Sequence, residues 1–145
     1  MAEMIAADQG RLVVVPIADP GVGNDFLHQM PPNTRWRLIS VTMRITTDAT
    51  TADRFFSLDI LLIADVIMRF PVREEALASQ VRQISWFNGG LAAMDADHLS
   101  SAGSLPERCL MNNRMILASE VQGIEAGDQI DHIFAVVEEW IEPLA

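Results

Sequence analysis

Residues 35–63, RWRLISVTMRITTDATTADRFFSLDILLI, read as two long β-strands joined by a loop of small, hydroxylated and acidic residues. From Ile39 the first segment sets Ile39, Val41, Met43 and Ile45 against Ser40, Thr42, Arg44 and Thr46. That is the period of two expected of a strand with one face buried. In the second segment Phe56, Leu58, Ile60 and Leu62 share one face, and Phe55, Ser57, Asp59, Leu61 and Ile63 form a more mixed opposite face. Between them, residues 46–53 offer no side chain able to anchor a core, and their Thr and Asp side chains bond their own backbone in turns. The stretch predicts a hairpin with a long tip.

Working outward, residues 11–17, RLVVVPI, predict a first strand that Pro16 either places at a sheet edge or breaks. Turn formers occupy residues 19–24, and residues 25–30 predict a short strand ahead of Pro31-Pro32-Asn33. After a break at Ala64-Asp65, residues 66–72 read as a strand, and residues 74–79 are the only segment of helix-forming composition. Residues 81–87 alternate again, with Asn88-Gly89-Gly90 supplying the positive-φ positions of a reversal. Residues 92–106 lack periodicity, which makes them the longest irregular segment and the expected place for a contact loop. Residues 114–121 and 129–141 predict the last strands, joined by a hairpin turn over residues 123–128 in which Gly127 gives backbone freedom. About eight strands and little helix predict an all-β chain. Residues 11–145 are expected to form a single antiparallel β-sandwich or jelly roll, preceded by an N-terminal arm over residues 1–10.

The composition bounds function by exclusion. The chain of 145 residues suits one domain. No apolar run reaches the roughly 18 residues a membrane span requires, and the acidic N-terminus does not resemble a secretory signal, so no membrane partner is expected. Twenty Asp and Glu against ten Arg, with no Lys, give a net charge of −10, which argues against nucleic acid as a partner. Arg35 and Arg37 are the closest grouping of cations. They read first as a solvated or rim-facing pair and, alternatively, as an interface with a carboxylate-rich partner surface. Cys109 stands alone and predicts a buried, inert thiol.

No motif points to catalysis or to a cofactor. His28, His98 and His132 are too far apart for a local metal motif, and His132 alternates with apolar neighbours as a core or interface histidine. Glu74-Glu75 and Glu138-Glu139 are adjacent on strands and therefore face opposite ways, so they read as solvated charge. Asp95 and Asp97 share one side of an extended segment, yet no acidic loop of calcium-binding spacing surrounds them. Trp36, Trp86 and Trp140 read as core, with an exposed sugar-stacking platform as the alternative.

Pro31-Pro32-Asn33 leads to Trp36 flanked by Arg35 and Arg37, then to RLISVTMRITTDATTADR and an alternating strand. This resembles small virion proteins of tailed bacteriophages, in which a Pro-x-x-x-x-Trp turn runs into a Thr-Thr-x-Ala-Thr-x-Ala-x-Arg loop. The resemblance covers about residues 20–64, with Ala126-Gly127-Asp128 as further support. The chain departs from the pattern in lacking a Gly-rich turn after Asp65, which leaves the strand register beyond residue 64 open. The resemblance implies a jelly roll that forms a homo-oligomer, a trimer, and binds the major capsid protein on the virion surface as a cement or decoration protein, after synthesis in a bacterial cytoplasm. A tail-fibre or baseplate module binding a receptor or carbohydrate is the alternative, and a metal-free small-molecule-binding jelly roll is a third. Expected contacts are the arm, the irregular segment with Asp95, Asp97 and His98, and the strand start with Arg35, Trp36 and Arg37.

Overall fold

The computed structural model describes residues 10–89, 93–95 and 100–141. Its strands are β1 (Arg11–Ile17), β2 (Leu27–Gln29), β3 (Thr34–Thr46), β4 (Arg54–Leu62), β5 (Asp65–Ala76), β6 (Val81–Asn88), β7 (Ala93–Asp95), β8 (Ser100–Leu105), β9 (Cys109–Asn112), β10 (Met115–Gln122) and β11 (Gln129–Ile141). The larger sheet runs β1-β11-β3-β6-β8-β7, with β9 also paired to β3, and the smaller runs β2-β10-β4-β5. The chain is all-β, with two packed sheets.

Alternation explains the core. Trp36, Leu38, Val41, Met43 and Ile45 of β3 point from the larger sheet toward Phe56, Leu58 and Ile60 of β4 in the smaller one, and all are buried. Ile84 and Trp86 of β6, Leu117 and Val121 of β10, and Ile130, Ile133, Ala135 and Val137 of β11 complete the same cluster. At about 25 cal/mol per Å² of apolar surface removed from water, this continuous layer is the main force holding the sheets together. As expected, β1 is an edge strand, with Pro16 on it.

Several expectations require correction. Residues 35–63 do not form a hairpin: β3 and β4 lie in opposite sheets, so residues 47–53 turn a corner across the sandwich. A hairpin and a sheet-to-sheet corner bury the same alternate residues, so the pattern cannot tell them apart. For the same reason the segment after Gln122 is a second corner, since β10 and β11 also belong to different sheets. Its left-handed residue is Gly123, with φ of 83°, whereas Gly127 is needed because a Cβ there would lie 2.5 Å from the Asp48 carboxylate.

The true hairpin joins β4 to β5, where Leu62 faces Asp65 across the two residues Ile63 and Ala64. No helix forms over residues 74–79, because β5 continues to Ala76. Within the segment 92–106 the described residues Ala93–Asp95 and Ser100–Leu105 are strands: β7 pairs antiparallel with β8, and β8 slots beside β6 in parallel, so the larger sheet is mixed. Residues 1–9, 97 and 98 lie outside the described residues.

Two bulges re-aim side chains. In β3, Val137 pairs with Leu38 and Val136 with Ser40, so Ile39 is the extra residue and Leu38 takes the inward place. In β11 the register breaks between Asp131 and Phe134, and His132 adopts φ of 49°. That bulge turns His132 outward rather than into the core, with Nδ1 3.0 Å from Asp131.

Candidate functional site

Three neighbouring strands of the larger sheet, β9, β3 and β11, present two cross-strand rows on the face away from the core. Asn112, Arg35 and Trp140 form one row, and Leu110, Arg37 and Glu138 form the other. The β8–β9 turn adds Glu107 and Arg108 at the rim, and together these side chains line a groove of about 450 Å³. This volume falls in the range of small-ligand and peptide-side-chain pockets. The turn is tied down by the Asn88 side-chain amide, which donates to the Glu107 carbonyl at 2.6 Å.

The groove carries three guanidinium groups against two carboxylates, local cationic character on a chain of net charge −10. Arg37 is committed, its Nε and Nη2 both donating to Oε2 of Glu138 at 2.9 and 2.7 Å. Arg35 lies with Cζ 5.1 Å from the centroid of the Trp140 ring, a cation–π arrangement that leaves the edges of its planar fork open to an acceptor. Among the described residues neither Arg35 nor Arg108 enters an ion pair. The arrangement can bind an anionic, carboxylate-bearing group beside an apolar one.

The remaining buried charges serve the fold. Arg54 is fully buried at the start of β4, and its donors are all used: Nε and Nη2 bond Asp128 at 2.9 and 3.0 Å, Nη2 also bonds Asp48 at 3.0 Å, and Nη1 bonds the Thr50 and Ala52 carbonyls at 3.0 and 2.7 Å. Asp128 in turn accepts from the backbone N–H groups of Asp48 and Glu125. Burial works to raise its pKa, but the bonds from Arg54 and the two amides outweigh it and hold the carboxyl below the ordinary carboxylate range. The two corners are thereby locked together. Asp48 and Arg54 on one corner and Asp128 on the other are the parts of this lock.

Glu139 is buried rather than solvated, accepting from Trp36 Nε1 at 2.9 Å and from Arg11 at 2.8 Å. On the smaller sheet Asp59 accepts a two-pronged contact from Arg69 at 3.0 and 2.9 Å, and Arg69 also pairs with Glu120. Asp25 lies nearby, bonded by Ser119 Oγ and the Val121 amide, and burial pushes its carboxyl upward. Cys109 is buried, and desolvation raises its thiol to about 11, as an inert core thiol requires. Among the described residues no group of three or more His, Cys, Asp and Glu is placed to hold a metal, and no helix is long and apolar enough to cross a membrane.

Of the expected contact residues, Arg35 and Arg37 line the groove, while Trp36 points the other way and is completely buried. Period-two geometry requires this separation of Trp36 from its neighbours. Asp95 lies in β7, remote in the sheet order from the groove, and Asp97 and His98 are outside the described residues. Sequence reading missed Glu107, Arg108, Leu110 and Glu138 as groove residues and assigned Trp140 to the core. Only the Arg35-Arg37 spacing carried a signal, because alternate residues of one strand share a face. No family model matches the chain, and no curated protein is similar to it.

Proposed function

We propose that this chain is a non-enzymatic structural protein of a tailed-bacteriophage virion, a jelly roll that self-associates as a trimer and binds the major capsid protein of the assembled head as a cement or decoration protein. The strand order supports the jelly-roll part. With β7, β8 and β9 set aside as an insertion, the orders β1-β11-β3-β6 and β2-β10-β4-β5 leave two four-stranded sheets of antiparallel neighbours.

The observation that carries the functional reading is the apolar character of the outer faces. On the larger sheet Leu12, Val14 and Phe134 are exposed in adjoining rows of β1 and β11. On the smaller sheet Ile63, Val66 and Ile67 are exposed around the β4–β5 turn, and Leu27 is exposed on the edge strand β2. Apolar surface gathered on both outer faces marks protein–protein contact. A cement protein acts through its differential affinity for assembled over separated capsid subunits, and symmetric repetition multiplies weak contacts.

Light scattering on the purified chain should give three times the chain mass, and imaging of purified particles should place its density on the head. A monomer at micromolar concentration, or density confined to the tail, would remove this reading; tail density would replace it with a receptor-binding module.

A further inference from the structure

We propose that the groove between β9, β3 and β11 takes an acidic peptide segment of a partner protein. Arg35 and Arg108 act as carboxylate ligands, and Trp140 and Leu110 form the apolar platform beside them. The inference rests on the reading that the chain works by binding a protein surface, and it names the chemistry of the segment that surface must offer.

The charge balance selects the ligand. Glu138 neutralises Arg37 and fixes its fork, and Glu107 stands at the rim, so three cations and two anions leave an excess of one positive charge. That excess suits a singly charged carboxylate. A phosphate dianion would meet the same arginines but would also face two fixed carboxylates at short range. A nucleic-acid strand running past the groove would meet a chain of net charge −10.

The groove's neighbours select a peptide over a free acid. The row that ends in Glu138 continues on β1 as Leu12, and the next row on that strand pairs Val14 with Val136. A segment lying with one carboxylate between Arg35 and Arg108 therefore finds an apolar strip for flanking aliphatic or aromatic residues. Stacking on Trp140 holds the Arg35 guanidinium without using its hydrogen-bonding edge, which is the preorganisation a bidentate contact needs.

The test uses the full chain and a blocked peptide with a single carboxylate, acetyl-Gln-Leu-Asp-Leu-Gln-amide, with its Asn counterpart as control. Trp36 and Trp86 are fully buried with their indole N–H groups bonded to Glu139 and to the Phe70 carbonyl, so a change in tryptophan emission on titration reports Trp140. The acidic peptide should bind saturably and the neutral one should not. Arg35→Ala and Arg108→Ala should each weaken binding roughly tenfold, and Leu110→Glu should abolish it. Arg44→Ala, whose arginine pairs with Asp131 elsewhere on the same face, should bind like the unaltered chain. Equal binding of the neutral peptide, unchanged affinity in the Arg35 and Arg108 variants, or displacement of the peptide by equimolar inorganic phosphate would overturn the proposal. Particle binding keeps the two readings apart. An unaltered chain that fails to bind heads defeats the capsid reading, whereas heads bound equally well by the unaltered chain and Leu110→Glu defeat the groove alone.

Discussion

Arg54 and Asp128 show how one residue pair can hold an architecture. Both are fully buried, and the corners they join connect strands of opposite sheets. Removing one partner strands the other charge without water, which in buried pairs costs about 3–5 kcal/mol. Asp128→Asn and Arg54→Met should therefore each lower the unfolding free energy by about that amount in urea titrations, and the double variant should lose less than the sum. Additive losses would show that the pair does not act as a unit. A second residue-scale effect depends on pH. His28 stacks on Trp36 with ring centroids 5.5 Å apart, its Nε2 is buried without a hydrogen-bond partner, and burial pushes its pKa below the ordinary 6.5. A depressed histidine pKa means that the unfolded chain takes up the proton first. Its contribution to stability is thus complete above pH 6.5 and declines as the pH falls from there. Asp128, Asp131 and Glu139 are also held below their ordinary values of 3.8, 3.8 and 4.5, so their contribution is lost only as the pH falls through that lower range. Thermal midpoints measured against pH should therefore fall in two stages, and His28→Phe, which keeps a ring against Trp36, should remove the upper stage alone.

The β4–β5 turn concentrates the tension between stability and surface at the scale of an element. Ile63 adopts φ of 62° and is 84% exposed, a left-handed conformation that a β-branched side chain tolerates poorly and a place where its apolar surface gains nothing within the subunit. Ile63→Gly should raise the unfolding free energy by about 1 kcal/mol, the strain relieved less the entropy glycine adds to the unfolded chain. If the turn is a contact, the same variant should weaken self-association or head binding; a stabler protein with unchanged association would mean that Ile63 is only a strained turn. Strand identity was legible here because alternation of Val41, Met43 and Ile45, or of Phe56, Leu58 and Ile60, depends only on burial. The partner of each strand was not, since the same pattern serves a hairpin or a corner. Nor were the bulges at Ile39 and His132, where one inserted residue exchanges inside for outside without a compositional mark. The groove was half legible: Arg35 and Arg37 stood out by spacing, but Arg108 and Trp140 reach it only through the pairing of β9 and β11 with β3.

Across the whole molecule, two surfaces of different physics should respond oppositely to salt. The apolar residues of the outer faces sit on a chain of net charge −10, so copies that associate through them must overcome mutual repulsion. Added salt screens that repulsion over a distance of about 10 Å at 0.1 M and leaves apolar burial intact, so self-association should tighten as ionic strength rises. The arginine groove holds an exposed charge contact, and the same screening should loosen an acidic segment from it. Light scattering and peptide titration between about 0.03 and 0.5 M sodium chloride, a span over which the screening length shortens several-fold, should therefore move in opposite directions. Replacing Phe134 by Glu adds charge to the apolar rows beyond the strip beside the groove, and should weaken the oligomer while leaving peptide affinity per chain unchanged. Were both processes to weaken together with salt, or were the Phe134→Glu variant to lose the peptide along with the oligomer, a single interface would be responsible for both, and the groove would have to be completed by a second copy of the chain.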